Sequence, residues 1–291
     1  MSPQLALLVN PAARGGRTLR LLEPVVRRLR DGGADVSVII GDGAADALAR
    51  ACTAAAERPD ALVAFGGDGL VHLAVQAVAG TDVPLGVIAA GTGNDIASAL
   101  GLPVGDTLAA ADTVLRMKPR RVDAGRVGQE WFAGVVCCGF DSRVNERANA
   151  MTWPPGMAKY LVAMVEELRR FRPIPFRVVL DGDEVVEREA MLVSVANTSS
   201  YGAGMKVCPD ASPEDGLLDV MILEAVSKVD FLRVFPQVYK GTHVQHPAVS
   251  IRRARSVRLE APGVVAYADG ERIGPVPLEC VVEPGALRVL S

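Results

Sequence analysis

Aromatic residues, long apolar segments and targeting signals are scarce in this chain. Phe, Trp and Tyr make up 4% of its 291 residues, although hydrophobic residues make up 49%. Gly, Pro or a charged residue interrupts each apolar run before it reaches the roughly 20 residues that a membrane-spanning helix needs. The N-terminal residues lack the basic start and the cleavage site of a signal peptide. We therefore expect no transmembrane helix and a cytoplasmic location.

Cysteine and net charge are also low. The five cysteines are odd in number and show no metal-ligand spacing, so we expect buried thiols rather than disulfides or a zinc site. The formal net charge of −3 argues against a dedicated nucleic-acid binder, which would present a strongly basic face.

The chain divides into two differently patterned parts. Over residues 1–121, short apolar strand segments alternate with helical segments, such as the one whose apolar face is Leu22, Val25 and Leu29. This alternation predicts a parallel sheet with helices on both faces. Residues 122–291 contain mainly strand segments separated by turns, which predicts a second, mainly antiparallel domain. The last strand is a candidate to return to the first domain.

Within the second part, the patterns make four specific predictions. The apolar runs predict single strands over 131–138 and 249–259. The helical spacing predicts two helices, over 157–170 and 228–239.

Two glycine-rich turns are the most informative motifs. Gly66-Gly67-Asp68-Gly69 and Gly91-Thr92-Gly93-Asn94-Asp95 each follow an apolar strand segment and precede a helical segment. Such turns let phosphate oxygens approach backbone N–H groups at a helix N-terminus, where the helix dipole favours negative charge. The loop from Asn10 to Arg14 follows the first strand, so all three loops should meet at the carboxyl edge of the sheet. Each loop alone also fits an ordinary strand-to-helix turn, but together they predict a nucleotide-binding crevice.

Asp68 restricts the chemistry of this crevice. Neither turn fits the G-x-G-x-x-G fingerprint of dinucleotide-binding proteins, which disfavours hydride transfer. A carboxylate inside a phosphate-binding turn would repel a bare phosphate, so we expect Asp68 to face Mg²⁺ or a hydroxyl that must lose a proton.

The two turns together resemble the catalytic domain of the diacylglycerol kinase family, which includes bacterial soluble lipid kinases and sphingosine and ceramide kinases. The GGDG turn alone is shared with NAD kinases and phosphofructokinases, whereas the GTGND turn is more specific. The resemblance extends to Asp215-Gly216-Leu217-Leu218-Asp219 and Asp269-Gly270-Glu271. It implies an α/β plus β fold, in which a doubly wound, mostly parallel sheet like that of NAD kinases and phosphofructokinases precedes an antiparallel β-sandwich domain that binds lipid.

The same resemblance implies the site residues. ATP would lie in the cleft between the domains, and Glu271, assisted by Asp68, would act as the general base. From the residues alone, Asp269-Gly270-Glu271 is interpreted as a hairpin turn, and only the resemblance indicates catalysis. The implied nucleotide-binding residues are Asn10, Pro11, Ala12, Ala13, Arg14, Gly41, Gly66, Gly67, Asp68, Gly69, Leu70, Val71, His72 and Thr92.

The resemblance also implies a Mg²⁺ site. Its ligands would be the Asp215 side chain and the main-chain oxygens of Ser212 and Leu217, which are hard donors that suit this ion. An ordinary Asp-Gly turn is the alternative for this loop. The chain departs from the family at Gly41, where related kinases often carry a threonine that contacts ATP, and at Ala12-Ala13, where the family has a small polar residue.

The lipid side is less specified by the sequence. Trp153 and the following helix could form an apolar lip for acyl chains, with a packed core as the alternative. Four basic residues could contact anionic headgroups during transient membrane contact; they are Lys159, Arg169, Arg170 and Arg172. We assign no metal-binding role to any histidine side chain, and a homodimer stays an open alternative.

These observations predict an ATP-dependent lipid kinase with Mg²⁺ as its metal. Its expected substrate is diacylglycerol, which would give phosphatidic acid. Another lipid alcohol, such as phosphatidylglycerol or a sphingoid base, is an alternative, and so is NAD kinase activity. A nucleotide- or lipid-binding protein without catalysis is a further alternative.

Overall fold

The computed structural model describes residues 2–10, 17–154, 156 and 158–291. In the first part of the chain, strands and helices alternate. They are β1 (Gln4–Val9), α1 (Arg17–Asp31), β2 (Asp35–Ile40), α2 (Ala44–Ala56), β3 (Ala61–Gly66), α3 (Asp68–Val78), β4 (Leu85–Ala89), α4 (Asp95–Ala99) and α5 (Thr107–Leu115).

The second part begins with strands and carries its helices between them. Its elements are β5 (Pro119–Val127), β6 (Glu130–Phe132), β7 (Val135–Gly139), α6 (Phe140–Ala150), α7 (Ala158–Arg170), β8 (Ile174–Leu180), β9 (Glu184–Ala196), β10 (Leu218–Glu224), α8 (Lys228–Val234), two 3-10 helices (Phe235–Lys240 and Thr242–Gln245), β11 (Val249–Ala254), β12 (Ser256–Glu260), β13 (Val265–Ala268), β14 (Glu271–Pro275) and β15 (Leu278–Leu290).

The first four strands form the predicted parallel sheet, in the order β2-β1-β3-β4. Side chains of β1 alternate between its two faces, as the two-residue period of a strand requires. Leu5 and Leu7 pack with residues of α1 and α5, whereas Ala6 and Leu8 pack with residues of α2 and α3. Both faces of the sheet are therefore covered, as the sequence predicts.

The second part forms the antiparallel β-sandwich. Strands β14, β13, β7, β9, β8 and β12 follow one another through antiparallel hydrogen bonds, and β10 and β11 extend from β9. Phe140 of α6 contacts Phe171 and Phe231 edge-on, with ring centroids 5.2 Å and 4.8 Å apart. These rings join α6, α7 and α8 on one side of the sandwich core.

Strand β15 connects the two sheets. It pairs with β12 and β5 in antiparallel fashion and with β4 in parallel, where Val289 lies opposite Leu85. The final strand of the chain thus forms hydrogen bonds with elements of both parts.

Several predicted elements have different bounds. The strand predicted over 131–138 is two strands, since Ala133 and Gly134 leave the ladder and donate their N–H groups to Asp269. The strand predicted over 249–259 is likewise divided at Arg255, whose N–H donates to Asp181 Oδ1. The helix predicted over 228–239 continues as a 3-10 helix from Phe235, because Pro236 cannot donate the α-helical hydrogen bond.

Two elements were not predicted, and the cysteine prediction holds in part. Helix α6 and strand β14 are rich in charged or small residues and carry little apolar periodicity. The cysteines form no disulfide, but Cys52 is exposed on α2, contrary to the expected burial. The other four cysteines are buried. In the described ranges, each helix is too short or too polar to span a bilayer.

Candidate active site

The two glycine-rich turns touch at the carboxyl edge of the parallel sheet. A Cβ on Gly67 would lie 3.1 Å from Gly91 Cα, and a Cβ on Gly91 would collide with Gly67 Cα. Asn94 closes the second turn, because its Oδ1 accepts the Gly91 N–H at 2.8 Å and its Nδ2 donates to the Gly91 carbonyl at 3.0 Å. Only glycines allow the two turns to approach this closely.

Two carboxylates face the same small space between these turns. A Cβ on Gly93 would lie 3.0 Å from Oδ2 of both Asp68 and Asp95. Burial raises the pKa of Asp68, the Ile96 N–H that donates to its Oδ1 opposes this shift, and the charge of Asp95 adds to it. Asp68 and Asp95 therefore form an anionic cluster at the N-terminus of α3. Such a cluster suits a site that binds a cation or exchanges a proton.

Asp95 also joins the two parts of the chain. Its two carboxylate oxygens accept the N–H groups of Ala203 and Gly204, each at 2.7 Å. Ala203 has a φ of 63° and Gly204 a φ of 95°, a backbone geometry that directs consecutive N–H groups to one anion. The second turn is therefore bound to a loop of the sandwich domain.

Glu271 approaches the first glycine-rich turn from the second part of the chain. It is the first residue of β14, and a Cβ on Gly69 would lie 3.1 Å from its Oε1. The side chain is exposed, so solvent or a substrate can reach the carboxylate. Burial raises the pKa of Tyr160 on α7, and the negative charge of Glu271 raises it further. The structure thus places Glu271 against Gly69, the residue that follows Asp68 in the first turn.

The other predicted nucleotide-binding residues have different surroundings. Asn10 is half-buried at the end of β1, and Thr92 is exposed in the second turn. The side chains of Leu70 and Val71 are buried in the core, so these residues can offer a ligand only their backbone. Residues 11–14 lie outside the described residues.

Gly41 has a structural reason to lack a side chain. It follows β2 directly, and a Cβ here would lie 2.5 Å from the backbone nitrogen of Ala47 in α2. A threonine at this position would therefore collide with the first turn of this helix.

His72 has an environment that the sequence did not reveal. Its Nδ1 lies 3.1 Å from Asp269 Oδ2 and its Nε2 lies 3.0 Å from Glu130 Oε1. Its side chain therefore faces protein carboxylates. Since 197 residues separate His72 from Asp269, no local pattern could have indicated this contact.

The predicted metal loop holds oxygen donors and a competing cation. Asp215 Oδ1 accepts the Leu217 N–H at 3.0 Å, and Asp215 Oδ2 is paired with the Arg253 guanidinium. Asp219 is buried, and its Oδ2 lies 3.6 Å from Arg253 Nε without a hydrogen bond. Within the described ranges, no three His, Cys, Asp or Glu side chains are placed to hold a metal ion. The oxygens of Ser212, Asp215 and Leu217 suit Mg²⁺ chemically, but Arg253 must leave Asp215 for them to bind it.

Comparison with known proteins identifies the family. The diacylglycerol kinase catalytic domain model matches residues 4–127, and the YegS C-terminal NAD kinase beta sandwich-like domain model matches residues 134–291. A curated protein named diacylglycerol kinase, from Mycobacterium tuberculosis (strain ATCC 25618 / H37Rv), is 44% identical over 292 residues, which cover 99% of this chain and 94% of that protein. The chain belongs to the diacylglycerol kinase family. The diacylglycerol kinase of Bacillus subtilis (strain 168) is 31% identical, with 94% of this chain and 92% of that protein covered.

Solved structures agree with this family at the level of the fold. A diacylglycerol kinase from Bacillus anthracis str. Sterne has a TM-score of 0.74 and 19% identity, and the match covers 99% of this chain and 96% of that one. An NAD kinase from Archaeoglobus fulgidus in complex with ATP has a TM-score of 0.53 and 13% identity, with 99% and 92% covered. The predicted family, the fold class and the kinase class of enzyme are confirmed.

A member of this family must meet a lipid, and the structure exposes apolar side chains on α7 and just before it. We call Trp153, Leu161 and Val165 the α7 face; their exposed fractions are 78%, 58% and 53%. Trp153 is not a core residue, which removes the alternative of a packed core for it. Met157 lies outside the described residues. Arg169 and Arg170 are exposed in the last turn of α7.

Proposed function

We propose that this chain is an ATP-dependent lipid kinase that transfers the γ-phosphoryl group of ATP to the hydroxyl of diacylglycerol, giving phosphatidic acid. Relatives with this printed function cover nearly the whole chain at 44% and 31% identity. The observation that carries the mechanism is the position of Glu271, whose carboxylate lies against Gly69 at the phosphate-binding turn.

The nucleotide phosphates would bind at the N-terminus of α3. Gly66, Gly67 and Gly69 have no side chain of their own to shield their backbone N–H groups there, and the helix dipole adds positive potential. Thr92 and Asn10 line the same edge, and we assign residues 11–14 and Gly41 to the nucleotide as well. Leu70, Val71 and His72 would contact the nucleotide through their backbone atoms, because their side chains are buried.

The proton would pass from the lipid hydroxyl to Glu271. As the hydroxyl oxygen bonds to the γ-phosphorus, its O–H bond breaks and the proton moves to the Glu271 carboxylate, while the bond from the γ-phosphorus to the departing ADP oxygen breaks. Asp68 would assist by orienting this hydroxyl and by supplying negative charge close to Glu271.

A bound Mg²⁺ would neutralise charge on the phosphates and in the cleft. We assign its binding to Asp215 with the carbonyl oxygens of Ser212 and Leu217. The buried Asp219 Oδ2 makes no hydrogen bond and faces the Arg253 guanidinium at 3.6 Å, which supports a cation near this loop because a buried carboxylate oxygen without a hydrogen bond is costly.

The α7 face would contact the membrane during catalysis. Its apolar side chains can enter the interface, while Lys159, Arg169, Arg170 and Arg172 would each add about 1 kcal/mol of attraction to anionic lipid.

The decisive experiment is incubation with γ-labelled ATP and Mg²⁺ against a panel of lipid alcohols in mixed micelles. Labelled phosphatidic acid is the expected product. NADP formation from NAD would instead support an NAD kinase, and ATP binding without transfer to any lipid would support a binding protein. Glu271→Gln should preserve folding and ATP binding but abolish turnover. The exposed Glu279 provides the control, since Glu279→Gln should leave turnover unchanged.

Membrane contact has its own test. Leu161→Asp with Val165→Asp should reduce sedimentation with vesicles that contain phosphatidylglycerol, and should leave phosphorylation of a short-chain, water-soluble diacylglycerol unaffected. Leu108 of α5 is exposed at 44% in the other part of the chain, so Leu108→Asp serves as the matched control. Unchanged sedimentation of the double variant would remove the α7 face from the proposal.

A further inference from the structure

His72 is a buried histidine with a carboxylate on each ring nitrogen. It projects from α3, four residues after the Asp68 that begins this helix, and it is 1% exposed. Nδ1 is 3.1 Å from Asp269 Oδ2, and Nε2 is 3.0 Å from Glu130 Oε1. Neither of these acids belongs to the first part of the chain, so the imidazole links α3 to the second part.

Both contacts require an N–H group on the ring. A neutral imidazole has one N–H and one lone pair, so one of its nitrogens would direct the lone pair at a carboxylate oxygen. Gln76 Nε2 lies 2.7 Å from the Trp131 carbonyl and 3.3 Å from both the His72 carbonyl and His72 Nε2, but a neutral Nε2 that accepted from it would still have no N–H group for Glu130 Oε1. The geometry therefore fits the imidazolium form, with one hydrogen bond to each carboxylate.

Asp269 is the partner that connects His72 to the proposed catalytic base. Its side chain is fully buried and accepts the N–H groups of Ala133, Gly134 and Val135 at 3.0, 2.8 and 3.2 Å. It occupies the turn between β13 and β14, two residues before Glu271. The hydrogen bond with His72 ties this carboxylate to α3, whereas the other three come from residues 133–135, between β6 and the start of β7.

We propose that His72 is a positioning residue, which holds the Asp269–Glu271 hairpin against the first turn of α3 through its charged hydrogen bond to Asp269. The expected effect on kcat rests on the proposed function, whereas the contact between His72 and Asp269 does not depend on it. Glu271 lies against Gly69 because the same helix that carries Gly69 also binds Asp269. Loss of the bond would allow the hairpin and the phosphate-binding turn to separate.

The charges around His72 support the imidazolium at neutral pH. Asp269 faces it from the β13–β14 turn, Glu130 faces it from β6, and Gln76 on its own helix is neutral. Burial lowers the pKa of His72, but the hydrogen bonds and charges of Asp269 and Glu130 outweigh it and raise the pKa to about 9. Positioning should therefore persist at neutral pH and weaken in alkaline solution.

The test compares His72→Gln with His243→Gln in the full chain. His243 is also buried, and its Nε2 donates a hydrogen bond to the Val207 carbonyl oxygen at 3.1 Å. Because a displacement of about 1 Å can cost about 100-fold in rate, His72→Gln should lower kcat by about 10- to 100-fold with KM for ATP changed less than about threefold. The His243 variant should lose stability without this loss of kcat.

Two further measurements separate positioning from simple destabilisation. Amide hydrogen exchange in residues 269–275 should accelerate in His72→Gln and stay as in wild type in His243→Gln. Glu130→Gln keeps the Asp269 contact but removes one charge, so it should shift the alkaline loss of activity to lower pH while leaving kcat at neutral pH nearly unchanged.

Each outcome decides the inference. Wild-type kcat and wild-type exchange in His72→Gln would overturn it, and so would a loss of kcat that only follows the unfolded fraction, as in the control. If the wild-type chain phosphorylates no lipid, the proposed function fails, and hydrogen exchange alone still decides whether His72 holds the hairpin. An NMR signal from a neutral His72 ring at pH 7 would also overturn it.

Discussion

Alkaline pH should destabilise the folded chain through His72 by about 3 kcal/mol. The pKa of this group rises from its ordinary value of 6.5 to about 9 in the folded state, and one pKa unit corresponds to about 1.4 kcal/mol. A raised pKa means that the folded state binds the proton more tightly than the unfolded state does. The added stability is therefore complete below pH 6.5 and is lost as the pH rises through about 9. Since the side chain is 1% exposed, solvent screens this interaction little.

Urea unfolding of wild type and His72→Gln at several pH values measures this contribution. Other groups titrate in both proteins, so the difference between their free energies of unfolding isolates His72. That difference should shrink by about 3 kcal/mol between about pH 6 and about pH 10. A difference that stays constant with pH would show that His72 is not preferentially protonated in the folded state, and would refute the reasoning.

Three other substitutions test the packing on which the site depends. Gly91→Ala should separate the second turn from Gly67 and raise KM for ATP by about tenfold or more, measured by initial rates, since its Cβ would collide with the Gly67 backbone. Gly41→Thr should lower the free energy of unfolding by about 1–3 kcal/mol in urea through overpacking against α2. Gly43→Ala should be tolerated, because its Cβ meets nothing within 4 Å. Phe140→Ala should cost about 3–5 kcal/mol in the same assay, since this buried ring contacts two other rings. Stability within about 1 kcal/mol of wild type would contradict the aromatic cluster as a core element.

Local sequence patterns predicted the parts of the molecule that depend on neighbouring residues. The alternation of strands and helices gave the parallel sheet, and parallel strands must end at one edge, so contact between the turns at Gly67 and Gly91 followed from topology. Helix α6 was not predicted, because its sequence FDSRVNERANA has little apolar periodicity, although Ser142 and Gly139 exchange two hydrogen bonds at its start.

The missing parts of the site depend on contacts between distant residues. Asp269 interrupts the strand predicted over 131–138 by accepting the Ala133 and Gly134 N–H groups, and nothing near either segment indicates the other. The pairing of Asp215 with Arg253 is of the same kind, since the two residues are 38 positions apart and meet only through β10 and β11. Motif spacing predicted which residues belong to the site, and the tertiary structure adds which groups contact each carboxylate.

The position of β15 has a consequence for the order of folding. The hydrogen-bonding edge of β4 receives its partner from the last strand of the chain, so the parallel sheet keeps an open edge until residues near Val289 are available. The first part cannot complete its sheet during synthesis, and its open edge could meanwhile pair with other chains. A cut near residue 128 would leave the fragment 1–127 without β15. The two parts should consequently unfold in a single transition.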